Sequence, residues 1–365
     1  MNTNTVIKET PSQFKNDKIR VLVVDDSALM RSMLKEILER DPGIQVVGTA
    51  CDPYDARDKI KLLNPEVLTL DVEMPKMDGI QFLRNLMKLH PMPVVMISTL
   101  TTKGANTTLD ALALGAIDFI SKPGSESFQA LEGYSDEIIR KVKTASKARI
   151  QALPSIASVS SSNKQALKQT KLFSSDGKII AIGSSTGGTE ALKEVLSRFP
   201  SNMPSVVITQ HIPEAFSKSF AQRMDTICEM SVCEAEDGQE ILPGHVYIAP
   251  GSRHLKIRKQ GVKLFCELDD GPSVNRHKPS VEVMLNSVIT HIGRNAIGVM
   301  LTGMGDDGAD AMKELRESGA YTYAQDEATS VVWGMPGQAV KRGAIDEVLP
   351  LEEIPEKIIS KLTVQ

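Results

Sequence analysis

Ile19-Arg-Val-Leu-Val-Val-Asp-Asp-Ser27 opens on a nearly all-aliphatic run, Ile19 to Val24, closed by two carboxylates. So apolar a stretch reads as a strand covered on both faces, as in a parallel sheet. Met30, Met33, Leu34, Ile37 and Leu38 follow at helical spacing, and Asp41-Pro42-Gly43 stops that helix. Further strands are expected at 44–50, 67–71, 93–98 and 117–120. Helical patterns near 53–63, 79–89, 105–114 and 135–149 alternate with them, which predicts a doubly wound α/β domain over residues 18–140.

Residues 1–17 are polar and read as a disordered tail, and 141–177, rich in Ser, Lys, Ala and Gln, read as a linker. A second strand-helix series begins at Lys178 and fills 178–365. Its strands are expected at 179–182, 205–209, 296–301 and 321–324, and its helices near 188–198, 281–291 and 308–318. Between 228 and 268, turn signals at Asp237-Gly238, Pro243-Gly244 and Gln260-Gly261 predict a β-hairpin insertion. The reading is thus two doubly wound domains, the second mostly parallel.

The 365 residues carry 42 basic and 46 acidic side chains, a net charge of -4 that offers no general attraction for nucleic acid. Cys51, Cys228, Cys233 and Cys266 show no CxxC spacing, so neither a zinc site nor a redox dithiol is indicated. No apolar stretch nears the roughly 18 residues of a bilayer span, and no signal peptide or myristoylation glycine is evident. A cytoplasmic protein without membrane insertion is expected.

Residues just past the carboxyl ends of parallel strands converge on one edge, so Asp25, Asp26 and Asp71 can share a pocket. Three carboxylates repel unless a cation joins them, and Mg2+ suits such a site. One carboxylate could then serve as nucleophile toward a phosphoryl group. Ser98 could hydrogen-bond that group and Lys122 pair with it, with Pro123 expected to hold a cis peptide that aims the lysine. Taken alone, Asp25-Asp26 could equally cap the helix opening at Ser27. Four strand ends carrying Asp-Asp, Asp, Ser and Lys-Pro in this order are hard to explain as caps.

Gly183-Ser-Ser-Thr-Gly187 satisfies G-x-S-x-G between a strand and a helix, where a sharp turn would expose Ser185. Backbone N–H groups at the helix start could hold an oxyanion. A phosphate loop fits less well, since Ser185 takes the second glycine position of G-x-G-x-x-G and no Gly-Lys-Ser/Thr follows. His211 ends the next strand segment and is a candidate base, with His245, His254 and His277 as competitors. Asp306 and Asp307 in Leu301-Thr-Gly-Met-Gly-Asp-Asp-Gly308 are candidate orienting acids, and spacing does not choose between them. The order Ser, His, Asp differs from that of ordinary α/β-hydrolases.

Through Val-Leu-Val-Val-Asp-Asp-Ser27, Asp71-Val-Glu-Met-Pro-Lys-Met-Asp-Gly79 and Ser121-Lys-Pro123, residues 19–125 resemble a response-regulator receiver domain, whose fold is flavodoxin-like. The resemblance implies that Asp71 accepts phosphate, that Asp25 and Asp26 form the acidic pocket, and that Ser98 and Lys122 sense the phosphate. It further implies Mg2+ bound by Asp26, Asp71 and the backbone carbonyl of Glu73. Residues 178–350 resemble the chemotaxis protein-glutamate methylesterase family through Ile182-Gly-Ser-Ser-Thr-Gly-Gly-Thr-Glu190, Ile208-Thr-Gln-His-Ile-Pro213, Val274-Asn-Arg-His-Lys-Pro-Ser280 and the 301–308 block.

That second resemblance implies Ser185 as nucleophile, His211 as general base and Asp307 as its orienting acid, with no cofactor for the esterase chemistry. It implies hydrolysis of glutamyl methyl esters, and deamidation of certain glutamines, on methyl-accepting chemotaxis receptors. A chemotaxis histidine kinase would be the phosphodonor. Asp306 stands where the family often has Asn, and a second carboxylate there is expected to raise the histidine's pKa. The 274–280 block and Met304 are expected near the substrate without assigned roles. A receiver joined to a DNA- or partner-binding module, or to an esterase for another substrate, is the competing reading.

Overall fold

The computed structural model describes residues 18–74, 77–98, 102–122, 128–150 and 177–363. In the first unit the elements run β1 (Ile19–Val24), α1 (Ala28–Glu39), β2 (Ile44–Ala50), α2 (Pro53–Leu63), β3 (Val67–Asp71), α3 (Gly79–Leu89), β4 (Val94–Ser98), α4 (Thr102–Ala113), β5 (Asp118–Ser121) and α5 (Phe128–Ala145). The five strands pair in parallel in the order β2-β1-β3-β4-β5. Val21 to Val24 are fully buried, as a strand packed on both faces requires.

Local chemistry sets the helix starts. Ser27 Oγ accepts from Met30 N–H and caps α1, while Asp25 Oδ1 takes the N–H of Ser27 instead of a helical one. Asp52 caps α2 with Pro53 at its first position, and Asp78 caps α3 through the N–H of Gln81. Gly79 is forced by proximity: a Cβ there would lie 2.1 Å from the carbonyl oxygen of Asp71.

The second unit runs β6 (Ile179–Ser184), α6 (Gly188–Leu196), β7 (Ser205–Gln210), α7 (Glu214–Ile227), β8 (Ser231–Glu234), β9 (His245–Ile248), β10 (His254–Gln260), β11 (Lys263–Asp269), α8 (Val281–His291), β12 (Ala296–Met300), α9 (Ala309–Glu317), β13 (Tyr321–Gln325), α10 (Met335–Lys341), β14 (Glu347–Leu349) and α11 (Ile354–Leu362). Its sheet has seven strands, β14-β13-β12-β6-β7-β9-β8, all parallel. The hairpin expected across 228–268 is narrower than that: only β10 and β11 form an antiparallel pair. β8 and β9 extend the main sheet. Buried Val232, Val246, Tyr247 and Ile248 explain why that stretch joins the core.

The two units share an apolar interior. One core cluster runs from Leu68, Leu70 and Phe119 of the first unit to Leu192, Phe216 and Phe220 of the second. The rings of Phe119 and Phe216 meet at 4.5 Å between centroids. Residues at the start of the expected linker are ordered against the second unit: α5 continues to Ala145, Arg149 N–H donates to Val331 O, and its guanidinium pairs with Glu327 at 3.0 Å. Most of that linker, the N-terminal tail and the expected cis peptide at Pro123 lie outside the described residues. No described helix is long and apolar enough to cross a membrane.

Candidate active site and phosphate pocket

Strands β12, β6 and β7 are neighbours, so the loops leaving their carboxyl ends lie side by side. Backbone hydrogen bonds fix these loops: Ser185 N–H donates to Thr302 O at 3.0 Å and His211 N–H to Ser184 O at 3.1 Å. Gln210 adds a brace, accepting from Ser184 Oγ at 2.7 Å and donating to Ser185 O at 3.0 Å. The turn into α6 needs Gly187, whose φ of 77° is left-handed and where a Cβ would strike Val331 at 2.7 Å. The backbone N–H groups of Thr186 and Gly187 point to no acceptor among the described residues, as suits the open end of a helix.

His211 Nε2 meets Asp307 Oδ2 at 2.9 Å, with both side chains buried. Asp307 is heavily solvated by protein: Ser280 Oγ donates at 2.7 Å, Asn275 Nδ2 at 3.0 Å and Val281 N–H, at the start of α8, at 2.7 Å. Burial by itself would raise this carboxyl's pKa, but the hydrogen bonds from His211, Asn275 and Ser280 outweigh it and hold the group well below the usual carboxylate range. With Nε2 engaged, the second ring nitrogen of His211, Nδ1, is buried without a partner. Ser185 Oγ makes no hydrogen bond among the described residues, and Ser185 and His211 line one cavity of about 1140 Å³.

The competing histidines separate by geometry. His277 lies flat on His211, centroids 3.7 Å apart and planes 7° from parallel. Burial, followed by the His211 charge, pushes the His277 pKa down, so it stays neutral. His254 is buried as a strut, with Nδ1 accepting from Ser280 N–H and Nε2 facing Pro272 O. His245 sets Nδ1 against Pro243 O. Asp306 turns outward to Arg342 at 2.8 Å, so the carboxylate on the imidazole is Asp307. Asn275 and Ser280 hold Asp307 through long-range contacts, for which the 274–280 block carries no positional signal in the sequence.

At the carboxyl ends of β1 and β3, one carboxylate oxygen from each of Asp25, Asp26 and Asp71 lies within 4.8 Å of the others. Lys122 Nζ sits 2.8 Å from Asp71 Oδ2 and 3.2 Å from Asp25 Oδ2. Burial, with the nearby Asp25 charge, lifts the Asp71 carboxyl to about 6 despite the lysine. One ammonium against three carboxylates leaves two negative charges, and buried Asp25 Oδ2 accepts no well-directed hydrogen bond. This donor set fits a hard divalent cation. Ser98 is buried at the end of β4, its carbonyl taking the N–H of Lys122 at 2.6 Å, and Glu73 is exposed, its N–H donating to Asp71 at 3.2 Å.

The two units are joined beside the catalytic cavity. Asp118, the first residue of β5, accepts from Thr186 Oγ1 and pairs with Lys141 of α5 at 3.1 Å. Thr144 of α5 contacts Met304 Sδ, and Arg223 of α7 pairs with Asp110 of α4 at 2.6 Å. Helix α5 and strand β5 therefore wall the cavity that holds Ser185 and His211.

Comparison with known proteins agrees with this division. The family model described as CheB methylesterase matches residues 180–358, and that of the response regulator receiver domain matches 21–130. A protein of Hydrogenovibrio crunogenus named protein-glutamate methylesterase/protein-glutamine glutaminase is 56% identical over 94% of this chain and 98% of its own length. A like-named protein of Geobacter metallireducens is 52% identical over 95% and 97%. The crystal structure of the Thermotoga maritima CheB methylesterase catalytic domain aligns with a TM-score of 0.50 and 42% identity, covering 51% of this chain and 98% of that one. The chain belongs to the CheB methylesterase family and carries a receiver domain ahead of the catalytic one.

Proposed function

We propose that the chain is a protein-glutamate methylesterase, and equally a protein-glutamine deamidase, whose receiver controls access to a Ser185-His211-Asp307 triad. The observation that carries this reading is the 2.9 Å His211–Asp307 contact beside Ser185 in a single cavity. Because Nε2 donates to Asp307, Nδ1 is the nitrogen that takes the Ser185 proton. The freed Oγ attacks the γ-carbonyl carbon, and the N–H groups of Thr186 and Gly187, which have no acceptor among the described residues, are the proposed donors to the resulting oxyanion. Collapse expels the methoxy group, which leaves as methanol with the proton held on Nδ1. Water repeats the sequence on the acyl-Ser185 and releases glutamate. A primary amide follows the same route with ammonia leaving.

The lining of the cavity by β5 and α5 supports control by the receiver. Asp71 is the proposed phosphoacceptor, with Ser98 and Lys122 answering to the phosphate. Asp26, Asp71 and the Glu73 carbonyl, with Asp25 beside them, would hold Mg2+, which supplies charge neutralisation for phosphoryl transfer. Lys122 then exchanges a carboxylate partner for a phosphate, which biases the packing of β5, where Asp118 grips Thr186. The names of the relatives favour methylated glutamates of a protein as the substrate. The protein proposed to carry them is a methyl-accepting chemotaxis receptor, with sensory adaptation as the output, and the receiver calls for a histidine kinase as phosphodonor. The test is methanol release from methylated receptor membranes: Ser185→Ala should abolish it while Asp71 still takes up phosphate. Retained turnover rejects the nucleophile.

A further inference from the structure

Residues Val274 to His277 form a tight two-residue hairpin turn. Val274 N–H donates to His277 O at 3.0 Å, His277 N–H returns to Val274 O at 2.9 Å, and Asn275 and Arg276 both have positive φ, 51° and 68°. Two left-handed residues in succession make the primed turn type. Asn275 points to Asp307 and His277 stacks on His211. Arg276 between them is exposed, Lys278 just after them is half-buried, and both line the cavity with Ser185.

These two cations have no carboxylate partner among the described residues. On the same lining Lys141 is matched by Asp118 and Glu137, and Lys143 by Asp41. Arg140 and Lys147 are likewise unmatched among the described residues, as is one lining carboxylate, Asp136. A positive rim beside a catalytic cavity, in a chain of net charge -4, is a local departure from the overall balance. Each hydrolysis of a glutamyl ester leaves a carboxylate on the substrate, so a segment with several such positions grows more anionic as it is processed.

Resting on the esterase reading above, we infer that Arg276 and Lys278 are specificity-determining residues that dock carboxylates flanking the target glutamyl group. The occupant is a polypeptide segment bearing Asp or Glu close to the ester. Rim cations act through encounter and salt-sensitive pairing, each contact modest in strength.

The experiment measures kcat and KM for methanol release from methylated receptor membranes across a salt series. Arg276→Asn, which keeps the left-handed turn, is combined with Lys278→Gln. The double variant is expected to raise KM about five- to tenfold at low salt and to flatten the salt dependence, with Arg276→Asp raising KM further. An unchanged KM and salt slope overturns the inference, as does a loss confined to kcat, which marks the turn as a positioning device only. No methanol release from the unmodified protein would instead count against the esterase reading itself.

Discussion

Thr186 Oγ1 donates to Asp118 Oδ2 at 2.5 Å, which ties the residue after Ser185 to the first residue of the receiver's last strand. A hydrogen bond to a charged acceptor contributes about 1.5–3 kcal/mol, enough to hold the turn in one position. Asp118→Ala is expected to raise the unphosphorylated rate of methanol release, roughly threefold or more, and to shrink activation by a phosphodonor. Lys141 keeps Glu137 at 3.1 Å, so the variant should still fold. A basal rate equal to that of the unmodified protein would remove this contact from the control mechanism.

Asp307 is the anion on which His211, Ser280, Asn275 and the start of α8 all converge. Asp307→Asn turns an amide N–H₂ toward donors, with an expected kcat loss on the order of 10⁴-fold and a stability loss of about 3 kcal/mol. Its folded pKa, about 2, lies below the 3.8 of an unperturbed carboxyl. Its contribution is therefore present above pH 3.8 and fades as pH falls toward 2. Thermal melts should show the gap between variant and parent narrowing in acid.

The Asp71 carboxyl has the opposite sign, its folded pKa lying near 6 rather than 3.8. Between these values the folded form keeps a proton that the unfolded chain has lost, so wild-type stability falls as pH rises through that window. In metal-free buffer Asp71→Asn should melt a few degrees higher at pH 7 than the parent, with little difference near pH 4. The same substitution should leave basal hydrolysis in place and erase activation by acetyl phosphate. Persisting activation would move the phosphoacceptor elsewhere.

His277 and His211 stack at 3.7 Å, so the charge on one is felt by the other. His277→Phe keeps a flat face and is expected to hold kcat within about threefold. His277→Arg sets a fixed cation beside the ring that must become imidazolium; kcat should fall about tenfold, and the acid limb of kcat/KM should move to lower pH. If Phe and Arg behave alike across the pH profile, the stack serves packing alone.

Periodicity made the parallel strands legible because burial on both faces writes itself as runs such as Val21 to Val24 and Ile179 to Ile182. Strand ends then indicated where Asp25, Asp71, Ser185 and His211 would gather. The pairing of β8 with β9 was not legible: glycine turns at Gly238 and Gly244 look the same whether the flanking strands fold back or run parallel. Nor was the choice between Asp306 and Asp307 readable from spacing, since it rests on long-range partners, Arg342 for one and Ser280 with Asn275 for the other. The left-handed backbone at Arg276 has no signal in the residue itself, because arginine is not a type that favours it.

The Val274–His277 turn packs three separate duties into four consecutive residues. Evolution cannot tune one of them in isolation: a β-branched replacement at 275 or 276 would shift acid, base and rim at once. Lineages that alter substrate preference here should therefore exchange the loop wholesale, or leave it untouched and change the chain somewhere else.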